Sequence, residues 1–154
     1  MKKLLYFFLF TLLIFACGPE KAKTDSDSQN EAAAKIVEDK LSGADGKGIG
    51  QVTSVTLESP LDQERIKRGK DIYEMKCSAC HKLDEKRVVG PGWAGLTKLR
   101  KPEWIMNMIL NPEQMTKEDP TAKQLFAEYL TQMTFQDVTQ DDARAILEYL
   151  RTME

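Results

Sequence analysis

The chain has 154 residues, which leave room for one domain built around one small core. Its net charge of −2 is unevenly distributed, because Leu61–Lys101 carries 11 Lys and Arg against 6 Asp and Glu, whereas Pro102–Glu154 carries 4 against 10. The basic half lacks the interleaved aromatic residues of a nucleic-acid surface, so we expect no nucleic-acid partner.

The N-terminus has the features of an export signal. Two lysines are followed by an apolar run, Leu4–Phe15, that is shorter than the roughly 20 residues of a spanning helix. The sequence therefore predicts a signal peptide over residues 1–16. The next residue, Cys17, completes Ile14-Phe15-Ala16-Cys17, which resembles the lipobox of bacterial lipoproteins.

The lipobox resemblance implies that the Cys17 sulfur carries a diacylglycerol group after cleavage. The protein would then be anchored to a membrane at the periplasmic side of a bacterial cell envelope without spanning it. Two alternatives stay open: an ordinary cleaved signal with an unmodified cysteine, and a retained N-terminal membrane anchor.

A polar segment follows up to Pro60. It is rich in Glu, Lys, Asp, Ser, Gln, Ala and Gly, and it cannot bury enough apolar surface to offset the entropy of ordering. We predict a flexible linker over residues 17–60 and a folded domain over residues 61–154. Within the linker, Gly48–Leu57 either docks on the domain as an extended strap or stays disordered.

The domain is predicted to begin with a helix. Ser59-Pro60-Leu61-Asp62 suggests an N-cap with Pro at the first helical position. Ile66, Gly69 and Tyr73 then fall on one face, so the pattern predicts a helix that runs to about Met75.

Three further helices are predicted from their termini. Pro102 opens one that ends at Asn111-Pro112, and Asp119-Pro120 opens the next. Thr139 with Asp142 forms a capping pair for the last helix. No strand run or internal repeat is present, so the fold class is predicted as all-α.

The motif Cys77-Ser78-Ala79-Cys80-His81 indicates what the helices surround. Two cysteines three positions apart can form thioethers to both vinyl groups of one haem, and the adjacent histidine then reaches the iron. The pattern C-x-x-C-H is the attachment signature of c-type haem, so the sequence predicts one covalent haem c held by Cys77, Cys80 and His81.

Three other readings of the motif are weaker. A structural zinc site requires four Cys or His ligands, and only three remain once Cys17 is assigned to the lipid. A thioredoxin-like dithiol requires a βαβ unit, which the helical pattern does not provide. A plain disulfide between Cys77 and Cys80 is the third alternative.

The segment from about Leu61 to the C-terminus resembles the class I cytochrome c domain. The residues that carry the resemblance are Gly69, Tyr73, the haem motif, Gly90-Pro91, a late methionine and Tyr149-Leu150-Arg151. The resemblance implies that Gly69 lets the first helix cross closely against the last, where Tyr149 packs. It also implies that the Pro91 carbonyl accepts a hydrogen bond from the far nitrogen of His81.

The sixth iron ligand is expected to be a methionine. His81 is the only histidine, so the chain cannot ligate the iron with two histidines. Met133 lies between the last two predicted helices, where members of the family present their ligand, and Met115 is the second candidate. Members commonly have Pro after the ligand, and Thr134 departs from that pattern.

A His/Met pair raises the reduction potential and leaves no easy position for a substrate. The sequence therefore predicts an electron-transfer protein rather than an enzyme: a membrane-anchored one-electron carrier in a respiratory chain. An open sixth position would instead favour a haem sensor or a haem enzyme such as a peroxidase.

The resemblance implies redox proteins as partners, namely an electron donor and an acceptor such as a respiratory oxidase or a reductase like nitrous oxide reductase. Lys76, Lys82, Lys86 and Arg87 lie beside the haem motif and would face an acidic patch on such a partner. The alternative is that these residues are simply solvated.

Overall fold

A computed structural model describes residues 45–154. The predicted signal peptide, Cys17 and the first part of the predicted linker lie outside the described residues. The helices are α1 (Gln63–Ile72), α2 (Leu96–Leu99), α3 (Pro102–Leu110), α4 (Pro112–Glu118), α5 (Pro120–Tyr129) and α6 (Gln140–Arg151), with a π-helical turn (Tyr73–Cys77) directly after α1.

The prediction of an all-α domain is confirmed. Residues 45–154 contain no β-strand, and the isolated bridge in this part of the chain joins His81 to Arg87. In the same residues, no helix has both the length and the apolar character needed to cross a membrane.

The start of α1 corrects the sequence prediction. Asp62, not Ser59, is the N-cap, and its carboxylate accepts hydrogen bonds from the backbone N–H groups of Glu64 and Arg65. These two donors have no partner within the helix, so the carboxylate that satisfies them fixes where the helix begins. Pro60 consequently lies before the helix.

The other predicted helix starts agree with the structure. Pro102 is at the start of α3, Asp119 caps α5, and Thr139 with Asp142 forms a complete capping box on α6. The sequence analysis missed α2 and α4. Asn111, predicted as a stop, ends α3 and also caps α4 through its side chain.

The close crossing of α1 and α6 holds the domain together. A Cβ atom on Gly69 would lie 2.0 Å from the carbonyl oxygen of Ala145, so only glycine permits this approach. Tyr149 packs one turn away, with its ring centroid 5.9 Å from that of Tyr73. The buried core around the crossing consists mainly of Ile72, Tyr73, Trp93, Trp104, Ile105, Met106, Ile109, Ala143, Ile146, Leu147 and Leu150.

Residues 45–58, which we call the strap, pack against this core. The buried Asn107 side chain accepts from the Val52 N–H through Oδ1 (3.0 Å) and donates through Nδ2 to the carbonyls of Val52 (3.0 Å) and Lys47 (3.1 Å). The Val52 side chain is only 3% exposed. The strap is therefore docked, and the predicted domain boundary at residue 60 falls inside the folded unit.

A buried ion cluster on α6 holds the C-terminal part of the strap. Arg144 donates to the Thr56 carbonyl (3.3 Å) and Arg151 to the Glu58 carbonyl (3.2 Å), while both pair with Glu148. Burial raises the pKa of Glu148, but hydrogen bonds and charge from Arg144, with help from Arg151, hold its net pKa below the usual range. Glu148 is therefore ionised and paired on both sides.

Candidate haem site

The two motif cysteines lie on one tight turn. The π-helical turn is followed by hydrogen bonds from the N–H groups of Cys80 (3.1 Å) and His81 (2.9 Å) to the Cys77 carbonyl. Neither thiol is in a disulfide. Cys80 is exposed, whereas burial raises the pKa of the half-buried Cys77 to about 11. Both sulfurs are therefore present as free groups on one short segment.

The imidazole of His81 has one nitrogen occupied and one free. Nδ1 lies 2.8 Å from the Pro91 carbonyl oxygen. Because a carbonyl can only accept, Nδ1 carries the proton, and the lone pair of Nε2 is left for a metal. Burial lowers the pKa of His81, opposed by the Pro91 bond, so the ring is in the neutral form that ligates metals.

Gly90 makes room for that ring. A Cβ at this position would lie 2.4 Å from Cε1 of His81, which is far inside contact distance. Gly90 therefore leaves space for the imidazole, and the carbonyl of Pro91 fixes its orientation. The structure brings Cys77, Cys80, His81 and Pro91 together.

Two aromatic residues also contact His81. The Trp93 ring stacks on the imidazole with centroids 4.8 Å apart and planes 26° apart. The Tyr73 hydroxyl donates to the His81 carbonyl (2.9 Å), and its ring lies 5.4 Å from that of Trp93. The sequence analysis used Tyr73 but missed Trp93, whose one signal was its position two residues after Pro91.

Met133 lies in residues 131–138, which we call the Met133 loop, between α5 and α6. Before the loop, the Arg87 guanidinium lies 4.3 Å from the Tyr129 ring centroid and contacts its carbonyl at 3.5 Å. Near its end, the Lys76 ammonium donates to the Gln136 carbonyl at 2.9 Å. Lys76 precedes the haem motif in the chain and Arg87 follows it, so the loop is held close to the motif from both of its flanking segments.

Met115 has a different environment. Its side chain is fully buried, and its sulfur accepts a hydrogen bond from the Ile49 N–H of the strap at 3.0 Å. A Cβ on Gly48 would lie 2.7 Å from its methyl group. Met115, the second candidate ligand, therefore lies beneath the strap, and its sulfur already accepts a hydrogen bond from the strap backbone.

These residues fit a covalently attached haem. The two thiols are three positions apart, the imidazole has a free Nε2, and apolar side chains flank Met133: Leu130 is 83% exposed and Phe135 is 48% exposed. Such side chains suit the apolar face of a porphyrin. No group of three or more His, Cys, Asp or Glu in residues 45–154 is arranged to hold a metal ion.

The family model for cytochrome c matches residues 66–154. The chain belongs to the cytochrome c family. Members are haem electron carriers with covalently attached haem c, and Cys77 and Cys80 of this cytochrome c form the C-x-x-C-H motif that attaches it. The resemblance inferred from the sequence is thereby confirmed.

Solved structures support the same assignment. A cytochrome c from Rhodothermus marinus is 43% identical, with a TM-score of 0.65, over 68% of this chain and 89% of that one. An engineered form, Rma TDE, is 41% identical over 68% and 90%, with a TM-score of 0.65. The engineered protein bound to a carbene intermediate is 40% identical, with a TM-score of 0.62. Comparison with curated proteins gave no match.

The four cations beside the motif differ in their contacts. Lys76 binds the Met133 loop at Gln136, and Arg87 binds Tyr129 at the end of α5. Lys82 donates to the Ser78 carbonyl at 3.0 Å. Lys86 pairs with Asp84 at 3.6 Å, but its side chain is 81% exposed. All four residues are exposed, so each can present charge to solvent beside the motif.

Proposed function

We propose that this cytochrome c carries single electrons through a haem whose iron is ligated by His81 and Met133. Haem iron with such axial ligands cycles between the ferrous and ferric states at a raised potential. The observation that carries the proposal is the anchoring of the Met133 loop by Lys76 and Arg87, on either side of the motif. The Pro91 bond supports it, because it engages Nδ1 of His81 and leaves Nε2 available to ligate the iron.

Met133 is preferred over Met115 on physical grounds. Withdrawal of Met115 from the core would break the contact of its sulfur with Ile49 and leave a cavity beside Trp104 and Gly48. Met133 is half-buried in a loop and can turn its thioether without such a cost. The same reasoning opposes a sensor or enzyme function, which would require that no side chain takes the sixth position.

The test is the absorption spectrum of the haem-loaded protein, compared with Met133→Ala and with Met115→Leu as the matched control. Oxidised wild type should show the long-wavelength sulfur-to-iron band of low-spin His/Met haem. The band should disappear in Met133→Ala and persist in Met115→Leu. Loss of the band in Met115→Leu alone would refute the proposal, and a high-spin wild type would favour the sensor or enzyme.

The engineered Rhodothermus marinus protein bound to a carbene shows that an altered relative can hold a reactive ligand. That property belongs to an engineered protein. For this chain we propose electron transfer without substrate chemistry, because the sixth position is assigned to its own methionine.

We also propose that Cys17 is lipidated and tethers the domain to the periplasmic face of a bacterial membrane, where it serves a respiratory chain. The signal-like residues 1–16 and the lipobox support this location. Partners would be a redox donor and a terminal acceptor, with nitrous oxide reductase as one candidate. The wild-type protein should incorporate a labelled fatty acid and Cys17→Ser should not, and a wild type that takes up no label would refute the lipid anchor.

A further inference from the structure

The Met133 loop is held by side chains rather than by its own backbone. Between residues 45 and 154, no backbone-to-backbone hydrogen bond joins residues 131–138 to each other or to the rest of the described chain. A segment without such bonds takes its position from side-chain contacts. The side chains that bind the loop therefore decide where the thioether of Met133 lies.

The side chain of Gln132 forms a hydrogen bond to the backbone of Met133 itself. Its Nε2 donates to the Met133 carbonyl at 2.8 Å, and its Oε1 accepts from the Thr116 hydroxyl at 2.9 Å. Thr116 lies on α4 and is buried. One amide side chain thus links the proposed ligand to a residue of the helical core.

The direction of these bonds follows from which groups can donate. The Met133 carbonyl can only accept, so the Gln132 NH₂ group must face it and Oε1 must face Thr116. The Thr116 hydroxyl also lies 3.0 Å from the Pro112 carbonyl and 3.1 Å from that of Glu113. It has one proton, and Gln132 holds the shortest of the three contacts.

We propose that Gln132, held by Thr116, is a positioning residue that keeps Met133 on the haem iron. The inference rests on the proposed His81/Met133 ligation and specifies what sets the strength of that bond. Loss of the two hydrogen bonds should raise the fraction of molecules in which Met133 has left the iron by about tenfold.

Imidazole binding to the oxidised, haem-loaded protein measures that fraction. Imidazole can bind iron only when Met133 is off, so its apparent dissociation constant varies inversely with the off fraction. In Gln132→Leu, imidazole should bind about tenfold more tightly than in wild type. The matched control is Gln124→Leu, the same change at an exposed position of α5, and it should match wild type.

Three further variants separate the contributions. Thr116→Val removes the hydroxyl at nearly constant volume and should strengthen imidazole binding, whereas Thr116→Ser keeps the hydroxyl and should stay near wild type. Gln132→Glu keeps an acceptor for Thr116 but cannot donate to the Met133 carbonyl at neutral pH. It should therefore behave like Gln132→Leu.

A double-mutant comparison distinguishes failure of the inference from failure of the ligand assignment. In a Met133→Ala background no methionine is displaced, so Gln132→Leu should leave imidazole affinity unchanged. If Met133→Ala strengthens imidazole binding and Gln132→Leu alone does not, the positioning role is refuted while the ligation stands. If Met133→Ala has no effect on imidazole binding and retains the sulfur-to-iron band, both are refuted.

Discussion

The contact between Asn107 and the strap gives a prediction whose size follows from the structure. Asn107→Ala removes three hydrogen bonds to the backbone of Lys47 and Val52, all between 3.0 and 3.1 Å. At about 1 kcal/mol for each bond, docking of the strap should weaken by about 3 kcal/mol. The rest of the core does not depend on these bonds, so the strap should open locally before the domain unfolds.

Native-state hydrogen exchange tests this expectation. The Val52 amide should exchange roughly a hundredfold faster in Asn107→Ala, because a 3 kcal/mol change in opening free energy corresponds to about that factor. The amide of Ile146 in α6 should change little. Gln51→Ala, which truncates an exposed strap residue, is the matched control and should behave as wild type. Val52 exchange within about twofold of wild type in Asn107→Ala would show that the bonds do not hold the strap.

Three other substitutions test the crossing of α1 and α6, the ion cluster around Glu148, and the space that Gly90 leaves for the His81 ring. Gly69→Ala should destabilise the domain by about 2 kcal/mol in urea unfolding, because the clash with Ala145 outweighs the helix propensity gained; a more stable variant would contradict the close crossing. Glu148→Gln should cost about 3 kcal/mol at neutral pH. The folded pKa of Glu148 is depressed, so the stability difference between wild type and Glu148→Gln should depend on pH. Measured by unfolding at a series of pH values, the difference should be present in full above the unfolded pKa of about 4.3. It should disappear as the pH falls through the lower folded pKa. A constant difference down to low pH would exclude the ionised pair. Gly90→Ala should displace the His81 ring, change the haem absorption spectrum and cost about 1–3 kcal/mol, whereas an unaltered spectrum would show that the ring does not need the space.

Local signals explain what could be predicted from the sequence. The haem motif and the caps at Asp119 and Thr139 act over a few residues, so their consequences can be inferred without knowledge of the fold. Asp62 shows the limit of this approach. Ser59 and Asp62 could both cap α1, and the local pattern does not say which side chain accepts from the first N–H groups of the helix.

Long-range contacts explain what could not be predicted. Met115 was a candidate ligand because the sequence does not reveal that its sulfur meets Ile49, 66 residues earlier. No local signal distinguishes Gln132 from other loop residues, since its partner Thr116 is 16 residues away. The helix that carries both Met115 and Thr116 has only seven residues, too few for a clear hydrophobic period.

The short helix α4 also gives the molecule a mechanical connection. Met115 contacts the strap and the next residue, Thr116, contacts Gln132, on directions about 100° apart around the helix. A pull on the chain before residue 45 would act on the strap and, through the contact between Ile49 and Met115, on α4. The next residue of α4, Thr116, binds Gln132 of the Met133 loop. If the domain is tethered through Cys17, as proposed, force from the membrane would reach the segment that carries Met133 by this route.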